Sequence, residues 1–253
     1  MKNFIGIDVG GTKITGVVFD GKRILDRLTI VTPRSLFEFE RNLRKLADFL
    51  SANRQIAGVG IGMAGLIDAR RGLVVYSPNI KYIKNLPLAR RLQRAGLGPV
   101  RIDNDANCFT RAEMRLGQGK AFKNFLALTL GTGIGGGIVI DRNIYRGRGG
   151  GGELGHIVLD GQFWETAFQK ARDQKDDQKL ARLTGWALAS LTNALEPDAV
   201  IIGGGVATDH GRHFWPGAKK EMKKFLFNPE SKTKVLISKL KDAGALGAAL
   251  LWI

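Results

Sequence analysis

The stretch Phe4-Ile-Gly-Ile-Asp-Val-Gly-Gly-Thr-Lys-Ile-Thr-Gly-Val-Val-Phe19 decides the fold. Its two apolar runs, Phe4 to Val9 and Thr15 to Phe19, are short and rich in β-branched residues, and Gly10, Gly11 and Thr12 break them apart. That pattern is strand, tight turn, strand. Phe125-Leu-Ala-Leu-Thr-Leu-Gly-Thr-Gly-Ile-Gly-Gly-Gly-Ile-Val-Ile140 repeats the device, with Gly131, Thr132 and Gly133 at the turn. The echo is weak by identity and good by pattern. It predicts two related lobes, each a β-sheet with helices, around a cleft that closes by a hinge.

Outward from these stretches the chain alternates strands and helices. Asp20-Gly21 is a hairpin turn, and Arg23 to Ile30 is a third strand. Ser35 and Glu38 form a capping box, followed by Leu36, Phe39, Leu43, Leu46 and Leu50 on one helical face. Ile56 to Gly62 and Val100 to Ile102 are strands. Asp103-Asn104-Asp105 caps a helix from Ala106 to Leu116. Leu66 to Ala69 looks like a turn. A later helix ends near Leu195, Val200 to Ile202 is a strand, and Asp242 caps a closing helix from Ala243. The expected lobes are residues 1–106 with 243–253, and residues 107–242.

Composition narrows the setting. Of 253 residues 44% are hydrophobic and 25% charged, enough to build a core. Cys108 is the single cysteine, which excludes an internal disulfide and a cysteine-rich zinc site. The N-terminal apolar run is too short for a membrane span and is interrupted by Asp8, so a cytoplasmic setting is expected. Lys and Arg number 39 against 23 Asp and Glu, a formal charge of +16. This points to a polyanionic or phosphate-rich ligand, or to a solvated basic surface.

The glycine patterns match familiar phosphate motifs only in part. Gly131-x-Gly133-x-x-Gly136 and Gly60-x-Gly62-x-x-Gly65 have dinucleotide-fingerprint spacing, but no helix follows either. Gly6 to Lys13 resembles a nucleotide-binding P-loop, yet Lys13 follows Thr12 and a strand comes next. What remains is a pair of glycine hairpins whose backbone N–H groups can approach phosphate oxygens, helped by the Thr12 and Thr132 hydroxyls. Asp8 is placed to hold a hydrated Mg²⁺ beside them. His210 and His213 have metal-like spacing but lack a completing carboxylate cluster.

Asp8-Val-Gly-Gly-Thr-Lys13, Asn104-Asp-Ala-Asn107, Gly131-Thr-Gly-Ile-Gly-Gly136, Gly152-Glu-Leu-Gly-His156 and Gly203-Gly-Gly-Val206 together resemble the ROK family of sugar kinases. The resemblance runs from Phe4 to the Ala243–Ala249 tail. It implies an α/β, actin-like (ribonuclease H-like) two-lobed sugar kinase fold with an interlobe cleft, and phosphorylation of a hexose 6-hydroxyl. By resemblance Asp105 is the general base, and Gly65, Asn79, Asn104, Glu153, His156 and Glu165 are sugar ligands. Asp8, Gly10, Gly11, Thr12 and Lys13 match the first phosphate loop, Gly131, Thr132 and Gly133 the second, and Gly203, Gly204 and Gly205 the adenosine-side turn. The implied cofactors are ATP and Mg²⁺, and the implied assembly is a homodimer. Neither a membrane nor nucleic acid is expected as a partner.

The chain departs from the family in one segment. Ile157 to Trp164 holds no cysteine where most members carry a zinc motif, so no zinc is expected. The short gap from His156 to Glu165 resembles the polyphosphate glucokinases, which leaves polyphosphate open as donor beside ATP. A further alternative is a non-catalytic sugar sensor or nucleic-acid-binding regulator. The intact Asp105 and both glycine turns argue against it, as does the absence of a helix-turn-helix before Phe4.

The residue types suit phosphoryl transfer. Asp105 at a helix N-terminus is favoured in its ionised form and can take a hydroxyl proton. Asn104 offers a donor and an acceptor, while Glu153 and Glu165 only accept, a set that reads vicinal hydroxyls. The run Gly149–Gly152 is expected to act as a hinge for the sugar ligands.

Overall fold

The computed structural model describes residues 2–207 and 211–253. The chain forms two compact units. Unit 1 comprises Met1–Arg115, Arg146–Gly150 and Leu240–Ile253, and unit 2 comprises Leu116–Tyr145 and Gly151–Lys239.

Unit 1 opens with β1 (Asn3–Val9), β2 (Lys13–Phe19) and β3 (Ile24–Val31), then α1 (Leu36–Ser51) and β4 (Ile56–Met63). Three short strands follow, β5 (Leu66–Asp68), β6 (Leu73–Tyr76) and β7 (Lys84–Leu86), then α2 (Leu88–Arg94), β8 (Val100–Asn104) and α3 (Asp105–Arg115). Ser35 caps α1 as expected, its hydroxyl accepting from the Glu38 N–H at 3.3 Å and donating to the Glu38 carboxylate. Of the expected stripe of α1, Phe39, Leu43, Leu46 and Leu50 are buried and Leu36 is half-buried, and Ala47 joins them.

Unit 2 contains β9 (Phe125–Leu130), β10 (Ile134–Ile140) and β11 (Asn143–Tyr145), a small hairpin β12 (Val158–Leu159) and β13 (Gln162–Phe163), and α4 (Trp164–Asp173). Then come α5 (Asp177–Leu195), β14 (Ala199–Gly203), α6 (Gly211–Lys224) and β15 (Lys234–Ile237). The chain returns to unit 1 with α7 (Ala243–Ala249).

The two main sheets share one topology. Their orders are β3-β2-β1-β4-β8 and β11-β10-β9-β14-β15. In each, the first three strands are antiparallel and the last two run parallel to the central strand. The internal echo of the sequence is therefore a repeated sheet, and the α/β class is the one expected. Among the described residues no helix is long and apolar enough to cross a membrane.

Three local expectations are corrected. Leu66 to Asp68 is a strand, because it pairs with β6 in a three-stranded side sheet. Asp242 holds the N-cap position of α7, its carbonyl accepting from the Leu246 N–H at 2.9 Å, but its side chain does no capping: its backbone is left-handed, and its carboxylate accepts from Arg27 Nε at 3.0 Å. Asp103 is not a helix cap either, because it lies inside β8 with 1% exposure. The unit boundary also falls later than 106, since α3 packs against α7 and stays with unit 1. That packing is close enough that a methyl at Gly247 would collide with the Cys108 carbonyl. His210 lies outside the described residues.

Candidate active site

In unit 1 the register sets the site. Val9 pairs with Met63 and Met63 with Asn104, so β1, β4 and β8 end level at their carboxyl edge. The Gly10–Lys13 turn, Gly65 and Asp105 follow within two residues of those ends, at the edge where parallel α/β sheets bind ligands. The sequence places these residues up to 95 positions apart, from Gly10 to Asp105, and the sheet brings them to one edge.

The first glycine turn is held from behind. Gly10 N–H donates to the Lys13 carbonyl at 3.0 Å, and Thr32 donates its hydroxyl to the Gly10 carbonyl at 2.7 Å and its N–H to the Thr12 carbonyl at 3.0 Å. The carbonyls are thus occupied, while the N–H groups of Gly11 and Thr12 have no partner among the described residues. Gly11, Thr12 and Lys13 are exposed. Asn79 packs against Gly11, where a methyl would approach its Cβ to 3.0 Å. The structure therefore puts this expected sugar-side residue beside the first glycine turn.

Asn104 is the N-cap of α3. Its Oδ1 accepts from the N–H groups of Ala106 at 2.8 Å and Asn107 at 3.1 Å, and its Nδ2 donates to the Gly65 carbonyl at 3.0 Å. Gly65 has φ +123°, and a methyl there would strike the Tyr76 carbonyl, so only glycine fits. Asp105 begins α3, with Oδ1 accepting from Ala106 N–H at 2.9 Å.

Asp8 lies at the end of β1 against Gly244, where a methyl would come within 2.6 Å of Oδ2. Its carboxyl is raised from 3.8 to about 7: burial contributes most, the Asp105 charge adds to it, Lys13 opposes it, and Asp242 raises it least. An anionic site of this kind gains from a cation. No cluster of three or more His, Cys, Asp or Glu suited to a metal occurs among the described residues. Asp8 alone therefore suits an ion carried largely by water and phosphate oxygens, as Mg²⁺ is.

In unit 2, β9 and β14 end within one residue of each other, Thr129 pairing with Gly203. The Gly131–Gly133 turn and Gly204–Gly205 follow at that carboxyl edge. Here α4 does the holding. Glu165 accepts from the Ile134 N–H at 2.5 Å, Gln169 donates to the Thr132 carbonyl at 2.7 Å, and Arg172 donates to the Gly131 carbonyl at 2.8 Å. The N–H groups of Thr132 and Gly133 have no partner among the described residues. A methyl at Gly133 would reach 2.6 Å from Glu165 Oε2. Gly204 has φ +91° and rests on the Leu130 backbone.

Glu153 precedes, and His156 ends, the short 3₁₀ turn Leu154–His156. His156 Nδ1 lies 3.5 Å from Glu153 Oε2, and its ring stands edge-on to Phe163 at 5.3 Å. Burial raises the Glu153 carboxyl, with His156 lowering it and Glu165 raising it. The glycine run before Glu153 is divided: Arg146–Gly150 belongs to unit 1 and Gly151 begins unit 2.

The sequence reading missed two supports. Glu165, Gln169 and Arg172 fall at i, i+4 and i+7 on α4, a spacing that could have marked them as one face. The second is Arg146, which donates to both oxygens of buried Asp103 at 2.6 Å, with Arg111 at 3.5 Å from Oδ2. No sequence signal pairs residues 103 and 146.

Against known proteins, the ROK family model matches residues 4–175 and 163–253. The glucokinase of Streptomyces coelicolor is 31% identical, the match covering 97% of this chain and 96% of that protein. The structure of a ROK family glucokinase from Streptomyces griseus with glucose and AMPPNP superposes with TM-score 0.85 at 29% identity, covering 98% of both chains. An inorganic polyphosphate/ATP-glucomannokinase from Arthrobacter superposes with TM-score 0.81 at 28% identity, covering 99% of this chain and 98% of that one. With five motifs in order, two sheets of one topology and a family match over nearly its whole length, the chain belongs to the ROK family.

Proposed function

We propose that this protein is a hexose kinase that transfers the γ-phosphoryl group of ATP to the 6-hydroxyl of glucose or a related hexose. The observation that carries this reading is the shared architecture of the two glycine turns. Each closes a central strand, each has its carbonyls tied down behind it, and each leaves two consecutive N–H groups for phosphate oxygens.

Asp105 accepts the proton of the attacking 6-hydroxyl as the oxygen bonds to the γ-phosphorus and ADP leaves. Asn104, Asp105, Glu153, His156 and Glu165 bind the sugar hydroxyls, with Gly65 and Asn79 supporting them. Asn104 is held in place by the α3 cap and Gly65, so its side chain is set before substrate arrives. Lys13 and the turn Gly10–Thr12 bind donor phosphates, as do Gly131–Gly133, and Gly203–Gly205 meet the nucleoside. Asp8 would hold Mg²⁺, largely through water, and the ion when bound would supply neutralisation of the phosphate charge. We assign the protein to the cytoplasm as a homodimer.

The likeness to a polyphosphate/ATP-glucomannokinase supports a second reading, in which inorganic polyphosphate also serves as donor. One assay addresses both. Glucose, mannose, N-acetylglucosamine, N-acetylmannosamine and fructose are each tested with ATP and with polyphosphate, and the product is analysed for the 6-phosphate. Asp105→Asn should lower kcat by about 10²–10⁴-fold while sugar still binds. A variant with near-full turnover would remove Asp105 from the base role.

A further inference from the structure

Five arginines line one pocket of unit 1. Arg70 and Arg71 come from the turn between β5 and β6, Arg90 from α2, Arg101 from β8, and Arg146 from the segment after β11; with Asp103 they bound a cavity of about 370 Å³. Asp103 is the one carboxylate on its wall, and its charge is taken up by Arg146 at 2.6 Å and Arg111 at 3.5 Å. Arg101 donates to the Leu251 carbonyl at 2.6 Å and stacks over Trp252 at 4.2 Å, neither of which neutralises it. Arg71 has Asp68, at 4.0 Å, as its one acidic partner among the described residues. Arg70 and Arg90 are exposed and have no acidic partner among the described residues. Four guanidinium groups thus surround one neutralised acid, each with a planar fork of donors suited to phosphate oxygens.

We propose that this pocket binds a small multivalent phosphate anion, either an oligophosphate or a small molecule carrying more than one phosphate. The volume is that of a small-molecule site. None of Gly10–Lys13, Gly65, Asn104 or Asp105 lines this pocket, so its walls are distinct from the residues at the edge that carries the first glycine turn. An occupant relieves the mutual repulsion of the arginines, which the protein alone does not balance.

The test is calorimetric titration of the protein already saturated with a non-hydrolysable ATP analogue, so that the glycine turns are filled. Tripolyphosphate and fructose 1,6-bisphosphate are the two probes, and the tighter one names the source. Arg90→Glu and Arg70→Glu should each weaken binding by about tenfold or more, whereas Lys219→Glu on α6 should not. Hexose phosphorylation by both arginine variants should stay near wild type, which shows them folded. Loss of binding once the analogue is present would overturn the proposal. So would equal weakening by Lys219→Glu, or a short DNA duplex held by these arginines more tightly than either probe.

Discussion

Replacing Asp8 by asparagine should stabilise the ligand-free protein, by an amount that grows with pH. In the unfolded chain Asp8 titrates near 3.8, and in the folded protein burial and Asp105 hold it at about 7. Below about pH 4 the carboxyl is protonated in both states, so the wild type and the uncharged variant should be alike. From there upward the unfolded chain releases a proton that the folded protein keeps, and wild-type stability falls. Above about pH 7 both states are ionised and the loss is complete. A rise from 3.8 to about 7 corresponds to about 4 kcal/mol, and local relaxation at an effective dielectric near 20 brings the expected gain to about 2–4 kcal/mol. The assay is urea unfolding of both proteins at about pH 4.5, 6 and 8. A gap that does not change with pH, or a variant less stable at every pH, would refute the argument from burial. The same substitution should reverse sign when Mg²⁺ and nucleotide are added at about pH 8. There the wild type gains stability by linkage and the variant gains less.

Other perturbations probe the supports. Gly247→Ala forces a methyl into the Cys108 carbonyl and should cost about 3 kcal/mol, a fall in Tm of roughly 6–12 °C by calorimetry. Arg146→Ala leaves Asp103 buried with Arg111 at 3.5 Å as its remaining cation, and should cost about 3 kcal/mol by urea unfolding. Arg172→Ala releases the Gly131 carbonyl from α4 and should raise KM for the donor about tenfold in steady-state assays, with KM for the sugar little changed.

Much of the fold was legible in local pattern. The two strand–glycine–strand devices, the stripe Phe39, Leu43, Leu46 and Leu50, and the motif order all survive in the structure, because each rests on periodicity or turn chemistry within a few residues. Local reading failed where a residue's partner is distant. Asp103 looked like a cap because it precedes a helix, and Arg146, 43 positions later, makes it a buried ion-pair partner. Asp242 looked like a cap for the same reason, and Arg27 takes its carboxylate from 215 positions away. The expected break at 106 leaves α3 out of the first lobe, but α3 packs on α7 through Gly247 and stays with unit 1.

The sequence by itself determined the chemistry available: one acid at a helix start, two hydroxyl-bearing glycine turns, and small residues where backbone must come close. Only the tertiary structure decided what those groups do to one another. Level strand ends bring Asp8 to a common edge with the acid at the start of α3, and Gly6, Gly60 and Gly244 let α7 lie against the sheet closely enough to half-bury the Asp8 carboxylate. Its affinity for a proton comes from exclusion of water and from a second negative charge nearby, and both depend on contacts that span the whole length of the chain.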